Sequence, residues 1–135
     1  MNPGRYYDAE HEGFYYQMLY ERKNSDSYHR ALFYTLGISQ ETRKHIRDLF
    51  DFSHGGIKPE GLAASWQTSS SIRVSRLAFN LWNGWTEEGA ERYSAPNELF
   101  ACGYAPYFFE AIYLRYPEFC RSHDQIFKRR TEQIR

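Results

Sequence analysis

Between Trp66 and Trp85 the chain reads WQTSSSIRVSRLAFNLWNGW, and this stretch restricts the fold more than any other. Val74, Leu77, Ala78, Leu81, Trp82 and Trp85 recur at intervals of three and four, which places them on one face of a helix. Thr68, Ser69, Ser70 and Ser71 precede that face. Each carries a hydroxyl able to accept a hydrogen bond from the first unpaired helical N–H groups, so any of the four can cap the helix. Gly84 supplies a stop, since glycine readily takes the left-handed conformation that follows a last turn. Arg73, Arg76, Asn80 and Asn83 fall on another side as a polar stripe. Such a helix is stable only when other elements cover its indoles and aliphatic groups.

The remaining chain supplies those elements. The 135 residues suit one domain. Over residues 7–23, Tyr7, His11, Phe14, Tyr15, Met18, Leu19 and Arg22 share a helical face, with acids early and bases late, as the helix dipole favours. His11 stands inside the apolar stripe and reads as a hydrogen-bonded core residue rather than a ligand. Asp26 or Ser27 caps a second helix over 28–36, closed by Gly37. Ser39 starts a third, with Ile46, Leu49 and Phe50 on its apolar edge and Arg43, Lys44 and Arg47 on its basic one, closing at Asp51 and Phe52. Residues 53–65, with Gly55, Gly56, Pro59 and Gly61, read as an irregular loop. Pro96 and Pro106 can each open a helix, over about 97–102 and 106–116, because the missing N–H costs nothing in a first turn. A last amphipathic segment from Glu118 carries Phe119, Ile126 and Phe127. No strand pair is expected. The prediction is an all-α, single-domain bundle of five to seven helices around the Trp-rich one, with a basic C-terminal segment at 121–135.

Lys plus Arg equals Asp plus Glu, 17 each, so no global basic excess points to nucleic acid. Aromatic residues make up 19% of the chain, which excludes a disordered chain and leaves a choice between a Tyr-rimmed core and an aromatic binding surface. Cys102 and Cys120 have no zinc-like spacing. The start MNPGRYYDAEHEGF lacks a secretory pattern, and no apolar run approaches the roughly 18 residues of a membrane helix. A cytoplasmic protein with no metal and no cofactor is expected.

Four segments carry a family resemblance: ALFYTLG from Ala31, LFDF from Leu49, IKPEGL from Ile57, and the serine run leading into RLAFNLWNGW. On these the chain resembles a family of small uncharacterised proteins, a domain of unknown function, from low-GC Gram-positive bacteria and their mobile elements. The resemblance spans roughly residues 7–115. It implies a shared fold and no established reaction.

The strongest site candidate is the serine run with its arginines. Ser69, Ser70 and Ser71 at a helix start, joined by Arg73, Arg76, Asn80 and the loop histidine His54, would suit a phosphate-like anion. In the alternative the serines only cap the helix and the arginines pair with Asp48, Asp51 or Glu60. A catalytic arrangement would set His54 beside a serine with Asp51 orienting it, and no nucleophile elbow supports it. A metal held by His54, Asp51 and Glu60 would need three ligands converging from one loop. Trp66 stands before the cap, where it either staples the helix entry or serves as a binding hot spot. Arg129 and Arg130 are further candidates for contact with an acidic partner. The first functional expectation is a non-enzymatic protein-interaction module, concretely an inhibitor or adaptor carried by a mobile element and aimed at a host factor. The alternative is a small-anion or nucleotide binder or enzyme built on Arg73 and Arg76.

Overall fold

The computed structural model describes residues 2–120. The predicted segment 121–135, with Arg129 and Arg130, lies outside the described residues.

Three helices begin on residues whose side chains satisfy the first free N–H groups. Asp8 caps α1 (Ala9–Arg22) by accepting from His11 N, Asp26 caps α2 (Ser27–Leu36) from His29 N, and Ser39 caps α3 (Gln40–Lys44) from Thr42 N. Of the four hydroxyls offered to α4 (Ser69–Asn83), Thr68 is the one used. Its Oγ accepts from Ser71 N at 3.0 Å, while Ser71 Oγ accepts from Thr68 N at 2.7 Å, a reciprocal capping box. Gly84 ends α4 at φ 78°, the left-handed stop expected of it. Pro96 and Pro106 stand in the first turns of α5 (Pro96–Leu99) and α6 (Ala105–Arg115).

The described residues thus form six α-helices joined by short 3-10 turns, a helical bundle of the predicted class. α2 is enclosed most completely. Every residue from Ala31 to Ser39 is buried, and α1, α4 and α6 all pack against this helix. A helix that is apolar nearly all round belongs in the interior. α4 packs beside it with Val74, Leu77, Ala78, Phe79 and Leu81 buried, while Trp82 and Trp85 pack against the core from a half-buried position. Arg115 ties α6 to this pair: its Nε donates to Leu81 O at 2.7 Å and its guanidinium lies 3.8 Å from the Tyr28 ring centre.

Two local expectations are corrected. The third helix stops at Lys44 instead of reaching Asp51. His45 leaves helical geometry at φ −114°, ψ 32° and stacks on Trp66, and a 3-10 turn (Ile46–Asp48) follows. Second, a strand pair does exist: β1 (Phe50–Asp51) pairs antiparallel with β2 (Gly56–Ile57), Phe50 opposite Ile57. Asp51 builds the turn between them, its carboxylate accepting from Ser53 N at 2.9 Å and His54 N at 3.1 Å, and Gly55 supplies φ 78°.

Gly37 closes α2 for a different reason from the one expected. Its φ is −81°, which any residue adopts, but a Cβ there would lie 2.7 Å from the His11 ring and 2.9 Å from the Phe14 ring. Gly61 is tighter still: a Cβ would meet the Asp48 backbone oxygen at 2.4 Å and Leu49 Cδ2 at 2.8 Å. Backbone does not yield as a side-chain tip does. Gly61→Ala is therefore expected to cost about 2 kcal/mol, read as a lower urea midpoint with an unchanged slope. An unaltered midpoint would show that the 59–63 turn moves freely.

Candidate functional site

Of the serine run, Ser71 is the one whose side chain is committed to internal contacts. Ser71 is fully buried, and its hydroxyl lies 2.6 Å from Gln67 Oε1. Gln67 Nε2 donates to Gly61 O and to Ser75 Oγ, and Ser75 donates back to Ser71 O at 3.0 Å. This network fastens the 59–67 segment to the first two turns of α4. Ser69 is exposed, Ser70 is half-buried, and Ser69 O accepts from Arg73.

The guanidinium groups are engaged by partners the sequence did not suggest. Instead of Asp48, Asp51 or Glu60, Arg73 uses Glu98: its Nε donates to Glu98 O at 2.9 Å and its NH2 lies 3.7 Å from the Glu98 carboxylate. Arg76 Nε donates to Glu87 Oε1 at 2.5 Å, and its guanidinium lies 4.7 Å from the Tyr93 ring centre. Asn80 donates to Trp85 O at 3.3 Å. The polar stripe of α4 thus holds the returning segment 85–98 against the helix. An anion using both arginines would have to displace two carboxylates.

His54 belongs to a different local structure. It is exposed on the hairpin turn, with its Nδ1 3.0 Å from Asp51 Oδ2. The hydrogen bonds from the His54 N–H and ring, and from Ser53, hold the Asp51 carboxyl below its ordinary range. The structure joins His54 to Asp51, while Ser71 is joined to Gln67 and Thr68. Among the described residues no group of three or more His, Cys, Asp or Glu is placed to hold a metal ion. Nor is any helix of the described residues long and apolar enough to cross a membrane.

Trp66 is half-buried and polar at its edge. The indole stacks on His45 with ring centres 4.5 Å apart and planes 7° from parallel, and its Nε1 donates to Asp48 Oδ2 at 3.1 Å. Asp48 also lies 3.6 Å from His45 Nδ1. This trio anchors the chain just before the α4 cap.

A second locus was not anticipated. Where α1 ends and α2 begins, the surface opens into a hollow of about 440 Å³, walled by Tyr16, Leu19, Tyr20, Lys23 and Arg30, with Tyr15 among its lining residues. Lys23 takes the left-handed conformation as it caps α1, φ 57°. Tyr20 is 82% exposed and Tyr16 44%. Tyr15 is fully buried, packing edge-on to Tyr16 at 5.1 Å and to Tyr34 at 6.3 Å. Burial pushes its phenol well above the ordinary tyrosine range, against the pull of the nearby Arg30 charge. The sequence did hold a signal for this locus. Tyr16, Tyr20 and Lys23 recur at four and three residues as a second stripe on α1, opposite in character to its buried face, and aromatic rings on a polar face are what a binding surface displays.

Geometry of this kind defines a small all-α protein with a tightly bonded interior and an aromatic-cationic hollow at one helix junction. The chain belongs to the family of unknown function DUF6075, whose model matches residues 1–128. No curated protein and no solved structure matches the chain.

Proposed function

We propose that this protein acts by binding another protein and catalyses no reaction. The observation that carries the reading is the exposure of Tyr16 and Tyr20 at the rim of the α1–α2 hollow, beside Lys23 and Arg30. Large rings with a polar edge supply contact area at low entropic cost, and tyrosine and arginine dominate binding hot spots. Further rings stand exposed at Phe109 (67%) and Phe119 (81%). In its concrete form the protein is an inhibitor or adaptor, carried on a mobile element and directed at a host factor. The alternative reading, a small anion or nucleotide held by Ser69–Ser71, Arg73 and Arg76, would require Arg73 and Arg76 to leave Glu98 and Glu87.

Tagged protein and a Tyr16→Ser, Tyr20→Ser double variant test the reading by capture from an extract of the native source. Tyr20 is solvent-facing, whereas Tyr16 also packs on Tyr15, so the comparison requires that the variant keep the circular dichroism spectrum of the parent, and Tyr20→Ser alone is the second bait. A partner retained by the parent is expected to weaken at least about 30-fold, the effect of losing one hot spot of roughly 2 kcal/mol. Identical protein sets on parent and variant baits would overturn the reading.

A further inference from the structure

α4 carries Arg73 and Arg76 and no acidic residue. Residues 86–98, which fold back along it, carry Glu87, Glu88, Glu91 and Glu98 against the single base Arg92. The two stretches are opposite in charge, and they meet through those charges. Arg76 Nε donates to Glu87 Oε1 at 2.5 Å, and the Arg76 guanidinium lies 4.7 Å from the Tyr93 ring centre. Arg73 reaches the Glu98 carbonyl at 2.9 Å and its carboxylate at 3.7 Å. Little else secures the segment. Trp85 packs against the core before it and Leu99 is buried after it, but no residue from Thr86 to Glu98 is buried. Its backbone hydrogen bonds are local, such as Ala90 N to Glu87 O and Tyr93 N to Ala90 O, and none among the described residues joins it to the backbone of α4. The Ser94 hydroxyl is shielded without a partner among the described residues, a cost removed when water reaches it. A segment with few buried contacts and polar fastenings opens at a lower free energy than the core unfolds.

We propose that residues 86–98 form an acidic strap over a docking face of α4, and that an acidic, tyrosine-containing segment of a partner protein displaces it. The strap itself displays the chemistry the face accepts: two carboxylates and one phenol ring on two guanidinium groups. Arginine suits that role by geometry as well as charge, since its planar fork matches a pair of acceptor oxygens. Both arginines are half-buried beneath the strap. Its departure leaves them without carboxylates, and a second acidic segment restores what they lost. Arg73 also donates to Ser69 O within α4 at 2.7 Å, a contact that does not depend on the strap. A tethered segment competes at an effective concentration on the order of millimolar, so weakening its ion pairs should free the face for a peptide in solution. This surface lies apart from the α1–α2 rim and shares with that reading only the premise that the protein binds proteins.

The test is a titration of ¹⁵N-labelled full-length protein, at one low ionic strength, with a synthetic peptide of the sequence of residues 85–99. A Glu87→Gln, Glu98→Gln double variant removes the strap's paired charges and keeps the size of both side chains. It is expected to bind the peptide about tenfold more tightly than the parent does, the effect of losing two modest ion pairs, with saturable shifts at the amides of residues 72–80. Glu98→Gln alone touches only the longer pair; it should bind several-fold more tightly than the parent, and it carries the test if the double variant does not fold. Adding Arg73→Gln and Arg76→Gln is expected to abolish binding, and a peptide with Glu87→Gln and Glu98→Gln should not bind. Equal affinity for the parent and the Glu variants would overturn the proposal. So would shifts that saturate in none of them, or binding that survives the loss of both arginines. Failure of the two readings is separable, because no arm of this titration involves Tyr16 or Tyr20. If the peptide does not bind but the Tyr16, Tyr20 variant loses its partner, the strap proposal falls and the α1–α2 surface stands; saturable peptide binding with unchanged partner capture gives the reverse.

Discussion

Phe33→Ala is expected to lower the stability of the fold by about 3–5 kcal/mol, the range observed when a buried ring is deleted from a core that cannot collapse around the space. Phe33 sits in the middle of α2 and is fully buried. Its ring meets Phe50 edge-on at 5.3 Å, lies parallel to Phe52 at 5.7 Å, and approaches His29 at 6.0 Å. Phe50 in turn packs edge-on to Trp82 at 5.5 Å, so the cluster joins α2, the hairpin and α4. Removing the central ring takes contact from all three elements at once, and none can close the gap without moving the others. With a native domain stable by roughly 5–15 kcal/mol, a loss of this size is a large share of the total. Thermal melting should fall by on the order of 10 °C or more. Phe109→Ala is the control. That ring is 67% exposed, and its removal is expected to change stability by no more than about 0.5 kcal/mol. Equal losses in the two variants would contradict the placement of α2 at the centre.

The helices were legible because their signals are local. Asp8, Asp26, Ser39 and Gly84 stand at helix ends with the chemistry that ends require, and the intervals on α4 sort its buried face from its polar stripe. The hairpin was not legible, because two residues per strand are too few to alternate; what makes it is the Asp51 turn and the positive φ of Gly55. The break after Lys44 coincides with His45 stacking on Trp66, a ring 21 positions away along the chain, a contact that no local pattern encodes. The polar stripe of α4 was correctly recognised as polar. Its role was beyond reach, since Glu87 and Glu98 reach Arg76 and Arg73 only after the 85–98 segment has folded back. The same limit hid the hollow: Arg30 joins Tyr16 and Tyr20 only through the turn between α1 and α2. Sequence periodicity reports which side of a helix faces inward. It does not report which outward side meets a second element.

Acid is expected to destabilise the protein through His11, well above the pH at which most carboxylates protonate. The histidine is fully buried on α1, with Nδ1 accepting from Tyr7 N at 3.0 Å and Nε2 donating to Tyr34 O at 2.7 Å. That pairing uses the neutral ring with its proton on Nε2. A second proton would go to Nδ1 and face the Tyr7 N–H, donor against donor. Burial accordingly lowers the His11 pKa from 6.5 to about 4, with the Arg43 charge acting in the same direction and the Tyr34 carbonyl and Asp8 opposing. The folded state therefore takes up its proton later than the unfolded chain as pH falls. Between the two values the unfolded state holds more protons, so stability rises with pH and is lost on acidification. From about pH 7.5 to about pH 4.5 the loss should be roughly 2–3 kcal/mol from this residue alone. Urea unfolding at a series of pH values measures it, and His11→Gln isolates it, since glutamine offers a donor toward Tyr34 O and cannot gain a charge. The variant should lose part of the parent's pH slope between about 6.5 and 4 even if it starts from a lower stability. Parallel curves for the two proteins would show that His11 is protonated as readily in the folded state as in the unfolded chain, and that the pair of hydrogen bonds does not fix its tautomer.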